Sequence, residues 1–526
     1  MQFKNLSETQ AFAALKTLAP LDMRKELTAA RIESASAPCG AGLSYHWATM
    51  GVGDTHIAAL QQLVDEQQLI LKYRALLSGE PMNTGEKRRV LHHLTRGRVL
   101  GESQLVEADG EEKGAFYREQ LDRIFSFSQA VRNGSLKGST GKPFTTVVQI
   151  GIGGSDLGPR ALHIALKGWA VGESVETRDA RFISNVDPDD ADDVLAGLDL
   201  STTLFVLVTK SGTTQETLTN YEMVKQAMIA AEIPGLDPAK HMVAVTSKTS
   251  PLASSKEFLD AFYIDDYIGG RYSSTSAVGA VVLSIAFGPD VYARLLAGAH
   301  EADNVALEPK ITENAALLDA AIGVYLRNVL QYPATAILPY AQALARFPAH
   351  LQQLDMESNG KQVNRNGDPI DYSTGPIIFG EPGTNGQHSF YQLLHQGTDI
   401  VPLQFIGFRT SQRKQDIETD GSSSQEKLVA NLIAQIVAFA CGKDDAHANK
   451  RFPGNRYSSV IVSDRLTPET LGALLAHYEN KVMFQGFLWN INSFDQEGVQ
   501  LGKVLANKVL SGGEGDPILQ AYIDLF

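Results

Sequence analysis

Three short segments place a carboxylate, an imidazole and an ammonium where each could exchange protons with carbon or oxygen. Gln353 to Lys361 reads Gln-Leu-Asp-Met-Glu-Ser-Asn-Gly-Lys. In it, Glu357 stands where an apolar, Ala-rich stretch with helical spacing (Ala341 to Leu354) gives way to the helix-stopping Ser358-Asn359-Gly360. A carboxylate at the end of an element can reach into a pocket, whereas one in mid-face usually meets solvent. The imidazole is His388, in Gly383-Thr384-Asn385-Gly386-Gln387-His388-Ser389-Phe390. The ammonium is Lys503, closing Phe494-Asp495-Gln496-Glu497-Gly498-Val499-Gln500-Leu501-Gly502-Lys503. Together they form an inventory for general acid–base work. Singly each is bland: a lone Glu is mostly a surface residue, and a lone His is more often structural than catalytic.

Three further segments could hold an anion. The apolar run Thr145 to Ile150 leads directly into Gly151-Ile152-Gly153-Gly154-Ser155-Asp156-Leu157-Gly158. A Gly-rich turn opening a helix offers free N–H groups and the positive end of the helix dipole. It is not a dinucleotide fingerprint, because the third glycine of G-x-G-x-x-G falls on Asp156. It is not a Walker loop either, because Gly158 is followed by Pro159-Arg160. Phosphate or sugar contact, or simply a tight turn, remain the readings. The second segment, Thr209-Lys210-Ser211-Gly212-Thr213-Thr214-Gln215-Glu216-Thr217, has five hydroxyl residues in nine. A helix cap explains one or two of them; an oxyanion nest for a phosphomonoester explains all. The third, Gly269-Gly270-Arg271-Tyr272-Ser273, lets backbone approach a ligand with Arg271 standing over it, unless Arg271 is a surface ion-pair partner.

These loops need strands to carry them. Helical spacing covers much of the first 140 residues: Ser7 to Leu18 with a Ser-x-x-Gln capping box, Thr55 to Leu77, Gly85 to Arg96 and Gly114 to Arg132. Buried-type strands then alternate with helices: Phe144 to Ile150, Ala180 to Val186, Thr203 to Thr209, His241 to Thr246 and Phe262 to Ile268. Ala277 to Arg327 reads as helical. A second series has strands near Thr335 to Pro339, Pro376 to Phe379, Asp399 to Phe405 and Ser458 to Val462, with a helix over Gln425 to Ala440. This alternation predicts an α/β fold of two units, each a parallel sheet covered by helices on both faces. Ligand loops lie at the carboxyl ends of such strands.

Composition narrows the class. A chain of 526 residues should hold two or more domains. The formal net charge of −14 argues against nucleic-acid or anionic-membrane binding, so an anionic substrate must be held by local donors. Cys39 and Cys441 are the only cysteines, too few for a disulfide framework or a thiolate metal site. There is no His-Glu-x-x-His, Cys-x-x-Cys or EF-hand loop, and the adjacent His92-His93 cannot share a helix face. No metal and no cofactor are expected. Without an apolar signal core or an 18-residue apolar run, a cytoplasmic soluble enzyme is the expectation.

The six motifs, in this order, resemble those of the glucose-6-phosphate isomerase (phosphoglucose isomerase) family across essentially the whole chain. The resemblance implies two SIS-type αβα sandwich domains with parallel sheets and a two-fold homodimer. The expected parts are an N-terminal helical segment over 1–140, sugar-isomerase domains over 141–290 and 291–500, and a C-terminal helical arm over 501–526. It also implies roles. Gly154, Ser155 and the loop Thr209, Lys210, Ser211, Gly212, Thr213, Thr214 would hold the sugar phosphate, with Gln353 and Gln496 nearby. Glu357 matches the family's carbon base, His388 and Lys503 its ring-opening groups, and Arg271 its enediolate-stabilising cation. Glu497, Gln500 and Gly212 depart from residues found in many relatives, and bear on affinity and on packing around Lys503 more than on the chemistry.

The implied reaction interconverts D-glucose 6-phosphate and D-fructose 6-phosphate by proton transfer between carbons 1 and 2. Three rivals are weaker. A phosphosugar-binding regulator would need the loops but not Glu357, His388 and Lys503. An isomerase for another aldose phosphate, such as mannose 6-phosphate, needs the same groups. A nicotinamide enzyme is opposed by Asp156.

Overall fold

Residues 1–513 and 515–526 are described by the computed structural model, whose two sheets carry the loops singled out above. The first sheet has the strand order Asp179–Ile183, Thr146–Ile150, Thr203–Val208, Met242–Thr246, Ala261–Tyr263, every pair parallel. Thr203–Val208 and Met242–Thr246 are buried at every residue, as a sheet covered on both faces requires. Their side chains alternate between two cores. Val147, Leu204 and Val206 join the main core, while Val148, Phe205 and Leu207 pack with Tyr221, Val224 and Met228 of the helix Gln215–Ala230.

The second sheet runs Ser36–Gly40, Leu43–His46, Ser458–Ser463, Leu403–Phe408, Ala334–Pro339, Ile377–Phe379. Its last four strands are parallel, and the hairpin Ser36–His46 closes the other edge antiparallel, with Tyr45 opposite Ile461. Each of the nine strands expected in the two α/β series overlaps an observed one, but that over Phe262 to Ile268 shrinks to Ala261–Tyr263 and that over Asp399 to Phe405 moves to Leu403–Phe408.

The helix Pro468–Leu488 is buried at every residue but Glu469 and packed on the helices Pro289–Val305 and Ala315–Val324. Three of its buried titratable side chains each have a polar partner: Glu479 with Arg96, His477 with Asp319, Lys481 with Asp355. Among the described residues no helix is long and apolar enough to cross a membrane.

Three expectations for the first 140 residues are corrected. Gly85 to Arg96 is not one helix: Asn83 and Arg88 form a β-bridge, and only His92–Arg96 is helical, as a 3₁₀ turn. Tertiary contacts override the periodicity there, since Asn83 Nδ2 donates to the Phe494 carbonyl and Gly85 lies against Asp495. The first α-helix, Gln10–Leu15, is capped by Thr9 instead of by a Ser7 box, because the turn Leu6–Glu8 closes first under its own Asn5–Glu8 box. The helix over Thr55 to Leu77 is two, Asp54–Glu66 and Leu69–Leu77, broken where Gln68 takes φ of 53°.

Candidate active site

The phosphate-type loops sit at the carboxyl ends of two adjacent strands of the first sheet. After Ile150 the chain turns through Gly153 and Gly154 into the helix Leu157–Gly172. Gly153 has φ of 59°, a conformation other residues adopt only with strain. Gly154 is required for a different reason. A Cβ there would overlap the Gly270 carbonyl and lie 2.8 Å from the Arg271 nitrogen, so this loop is stacked directly on the arginine loop. Buried Gln149 anchors it from below, its Nε2 donating to the Ser155 carbonyl at 2.6 Å.

After Val208 the hydroxyl-rich loop folds on itself. The Thr209 and Thr214 hydroxyls meet at 3.1 Å, the Gly212 N–H donates to Thr209 Oγ1 at 3.2 Å, and Thr213 Oγ1 donates to Ser211 Oγ at 2.9 Å. Gly212, with φ of 69°, leaves no room for a Cβ beside Ser250. Lys210 Nζ donates to the Ile268 carbonyl at 3.2 Å, tying this loop to the arginine loop, and burial pushes its pKa down. The Thr217 hydroxyl, 1% exposed, has no partner among the described residues. It lies in the motif but not among the residues chosen from sequence; its place one turn into the helix Gln215–Ala230 was the available signal.

Glu357 ends the π segment Gln352–Glu357 of a helix that begins as α over Phe347–Leu351 and runs on through Ser358 and Asn359. Gln353 Nε2 donates to Glu357 Oε2 at 3.0 Å and reaches Gly153 on the first unit's loop. Arg271, 2% exposed, meets the other carboxylate oxygen: its Nη1 donates to Glu357 Oε1 at 2.7 Å. Its Nε donates to Ser358 Oγ at 2.6 Å, and its Nη2 to the carbonyls of Ser493 at 2.6 Å and Asp495 at 2.9 Å. This planar array is fixed from three sides. Asp495 is itself held, its carboxylate taking Lys361 Nζ at 2.5 Å and Asn492 Nδ2 at 2.7 Å.

Sequence reasoning missed this supporting layer. Ser358 also meets the Tyr272 hydroxyl at 2.9 Å, and burial pushes the Tyr272 phenol up to about 12, so it keeps its proton at neutral pH. Beneath the π turn, Lys481 Nζ pairs with Asp355 Oδ2 at 3.0 Å; burial opposes the charge, but Asp355 and Asp319 outweigh it and raise the lysine pKa. Only the position of Asp355, one turn of helix from Glu357's neighbours, could have signalled it.

Gly154, Gln353, Glu357 and Arg271 are thus brought together, and Lys210 links Thr209–Thr214 to them. His388, Gln496 and Lys503 are exposed, and none makes a side-chain hydrogen bond or ion pair among the described residues; Gln496 directly follows Asp495, whose carbonyl takes Arg271 Nη2. His388 ends the turn Asn385–His388, which Gln387 braces by donating to the Tyr340 hydroxyl at 2.7 Å. Lys503 lies on the helix Gln500–Leu510, where Leu501 is 69% and Val504 64% exposed. Among the described residues no cluster of three or more His, Cys, Asp or Glu could hold a metal.

The chain is similar to known proteins over nearly its whole length. The sequence profile described as Phosphoglucose isomerase matches residues 47–522. The glucose-6-phosphate isomerase of Treponema pallidum is 57% identical over 531 residues, covering 100% of this chain and 98% of that protein. That of Borreliella burgdorferi is 46% identical, covering 99% and 98%. A crystal structure of a glucose-6-phosphate isomerase from Chlamydia trachomatis, 44% identical, superposes with a TM-score of 0.91 over 99% of each chain.

Proposed function

The chain belongs to the phosphoglucose isomerase family, and from that premise we propose that it interconverts D-glucose 6-phosphate and D-fructose 6-phosphate through a cis-enediolate. The observation that carries the reading is the buried Arg271 guanidinium set 2.7 Å from the Glu357 carboxylate, beside Gly154, where a Cβ would overlap the arginine loop. Glu357 takes the proton from carbon 2 and returns it to carbon 1. The enediolate needs a cation that does not reorganise as charge develops. Arg271 supplies it: an enediolate oxygen can take the Nη1 position now filled by Glu357, while the bonds to Ser358, Ser493 and Asp495 hold the plane. One preorganised donor of this kind is worth roughly 10²–10³ in rate.

The phosphate lies in the nest of Gly154, Ser155 and Thr209 to Thr214, with Gln353 and Gln496 near the sugar. His388 and Lys503 open the ring, with histidine the natural proton carrier near neutral pH. Their exposure fits a homodimer in which each chain lends its His388 to the other's site, and the exposed arm over 501–526 packs on its partner. The four-part division at 140, 290 and 500, a cytoplasmic location and a place in glycolysis and gluconeogenesis are proposed with it.

The test is a coupled assay on purified protein with fructose 6-phosphate after exhaustive EDTA dialysis, no metal or nucleotide being added to the isomerase step. Glucose 6-phosphate should form at full rate. No product, or activity that appears only when divalent metal is restored, overturns the proposal.

A further inference from the structure

Ser358 follows the proposed base directly, is completely buried, and receives the Nε–H of Arg271 at 2.6 Å. A serine in a helix ordinarily turns its hydroxyl back to the carbonyl three or four residues earlier. Ser358 does not: its hydroxyl bonds are to Arg271 and to the Tyr272 hydroxyl at 2.9 Å. Tyr272 is itself immobile, 1% exposed, its ring stacked on His92 at 4.7 Å and 24° and tilted against Phe494 at 5.8 Å. The other Arg271 donors fix the Nη2 corner of the guanidinium and leave its Nε edge to Ser358. Nη2 meets two backbone carbonyls on one side, and Nη1 faces Glu357, which must move for chemistry. The Nε bond therefore fixes rotation about the end of the side chain, and its acceptor is a hydroxyl that swings unless something holds it.

We propose that Tyr272 is a positioning residue that, through Ser358, fixes the plane of Arg271 against the reacting carbons; the inference rests on the isomerase reading above. Its hydroxyl never touches substrate. Its effect should appear only where planar negative charge meets Arg271, and so in the enediolate more than in the bound sugar.

Tyr272→Phe removes one oxygen and keeps the ring that packs on His92 and Phe494. In the fructose 6-phosphate assay kcat should fall about ten-fold, with KM changed less than about two-fold. Two inhibitors separate positioning from general loosening. A five-carbon aldonate phosphate, whose planar carboxylate imitates the enediolate, should bind about ten-fold more weakly. Glucitol 6-phosphate, which offers phosphate and hydroxyls without planar charge, should bind within about two-fold of its original affinity. Should Tyr272→Phe fail to fold, Ser358→Ala is expected to give the same split between the inhibitors. Where both fold, the double variant should be no worse than the poorer single one. Unchanged kcat with a lowered Tm, or equal loss of both inhibitors, overturns the inference. Arg271→Lys and Glu357→Gln run alongside. If the parent protein forms no glucose 6-phosphate, the isomerase reading fails and this inference with it. If Arg271→Lys and Glu357→Gln stay active, the roles of those two residues fail and this inference with them. If they are impaired while Tyr272→Phe behaves as the parent, only this inference fails.

Discussion

Arg271→Lys preserves charge and is nonetheless expected to be severe. The guanidinium distributes four hydrogen bonds over three nitrogens, at 2.6 Å to Ser358, 2.7 Å to Glu357, 2.6 Å to the Ser493 carbonyl and 2.9 Å to the Asp495 carbonyl. An ammonium is one atom and cannot stand between Ser358 and the two carbonyls at once. Keeping the Glu357 pair and one carbonyl gives up two hydrogen bonds from a charged donor, although the Asp495 carbonyl still takes Lys361 Nζ at 3.1 Å and Ser358 still meets the Tyr272 hydroxyl at 2.9 Å. At about 1.5–3 kcal/mol for each, offset in part by those remaining partners and by a water entering the gap, the variant should lose roughly 1–3 kcal/mol of stability. The catalytic cost is separate. The mobile ammonium no longer offers a fixed donor where enediolate charge develops, so kcat should drop by about 10² with a smaller change in KM. The measurement is steady-state kinetics in both directions, with a thermal melt to confirm folding. A large rise in KM with kcat intact would refute the reasoning and move Arg271 to the phosphate.

Glu357→Gln should fold normally, because Gln353 can turn its unpartnered Oε1 toward the new amide, and it should lose at least about 10³ in kcat; exchange of a carbon 2 deuteron into solvent at the parental rate would remove Glu357 as the base. Gly154→Ala forces a methyl into the Gly270 carbonyl, so both the melting temperature and kcat/KM should fall, and an active variant of unaltered Tm would mean that the two loops are not stacked as described. Glu357→Gln and His388→Ala, unfolded together and refolded, should recover about a quarter of parental activity if the sites are shared, since about half the dimers are mixed and each has one intact site of two. Activity no higher than that of the unmixed variants, with mixed dimers confirmed by mass, would mean that both residues serve one chain's own site.

The strands of both α/β series were legible because burial on two faces demands unbroken apolar runs, and Leu204 to Val208 or Val243 to Val245 can hardly be anything else. The hairpin Ser36–His46 was not. Pro38 and Gly40 interrupt any alternation, and its partner strand begins at Ser458, so nothing local marks it. The glycine and hydroxyl loops could be read because their composition is their chemistry. What surrounds Arg271 could not, since carbonyls of Ser493 and Asp495 are acceptors that every residue possesses. The π turn over Gln352–Glu357 is equally silent, as the residues in it suit an α-helix as well.

That hairpin also has a bearing on biosynthesis. The Ser44 hydroxyl donates to the Val462 carbonyl across 418 residues of sequence. At translation rates of about 5–20 residues per second, the first-made strands of the second sheet wait roughly 20–80 seconds for the strand that covers their edge. Meanwhile Ser44, Tyr45 and His46 have no Ser458–Ser463 to pair with, and Leu43 and Tyr45, both buried in the finished protein, lack that cover. The nascent chain therefore carries an open, apolar β-edge through most of its synthesis, the kind of surface that chaperones bind and that aggregates grow from. A fragment ending before Ser458 should be insoluble however well its first sheet folds. An isolated second unit should need residues 36–46 supplied, in cis or as a peptide, before it becomes a stable sheet.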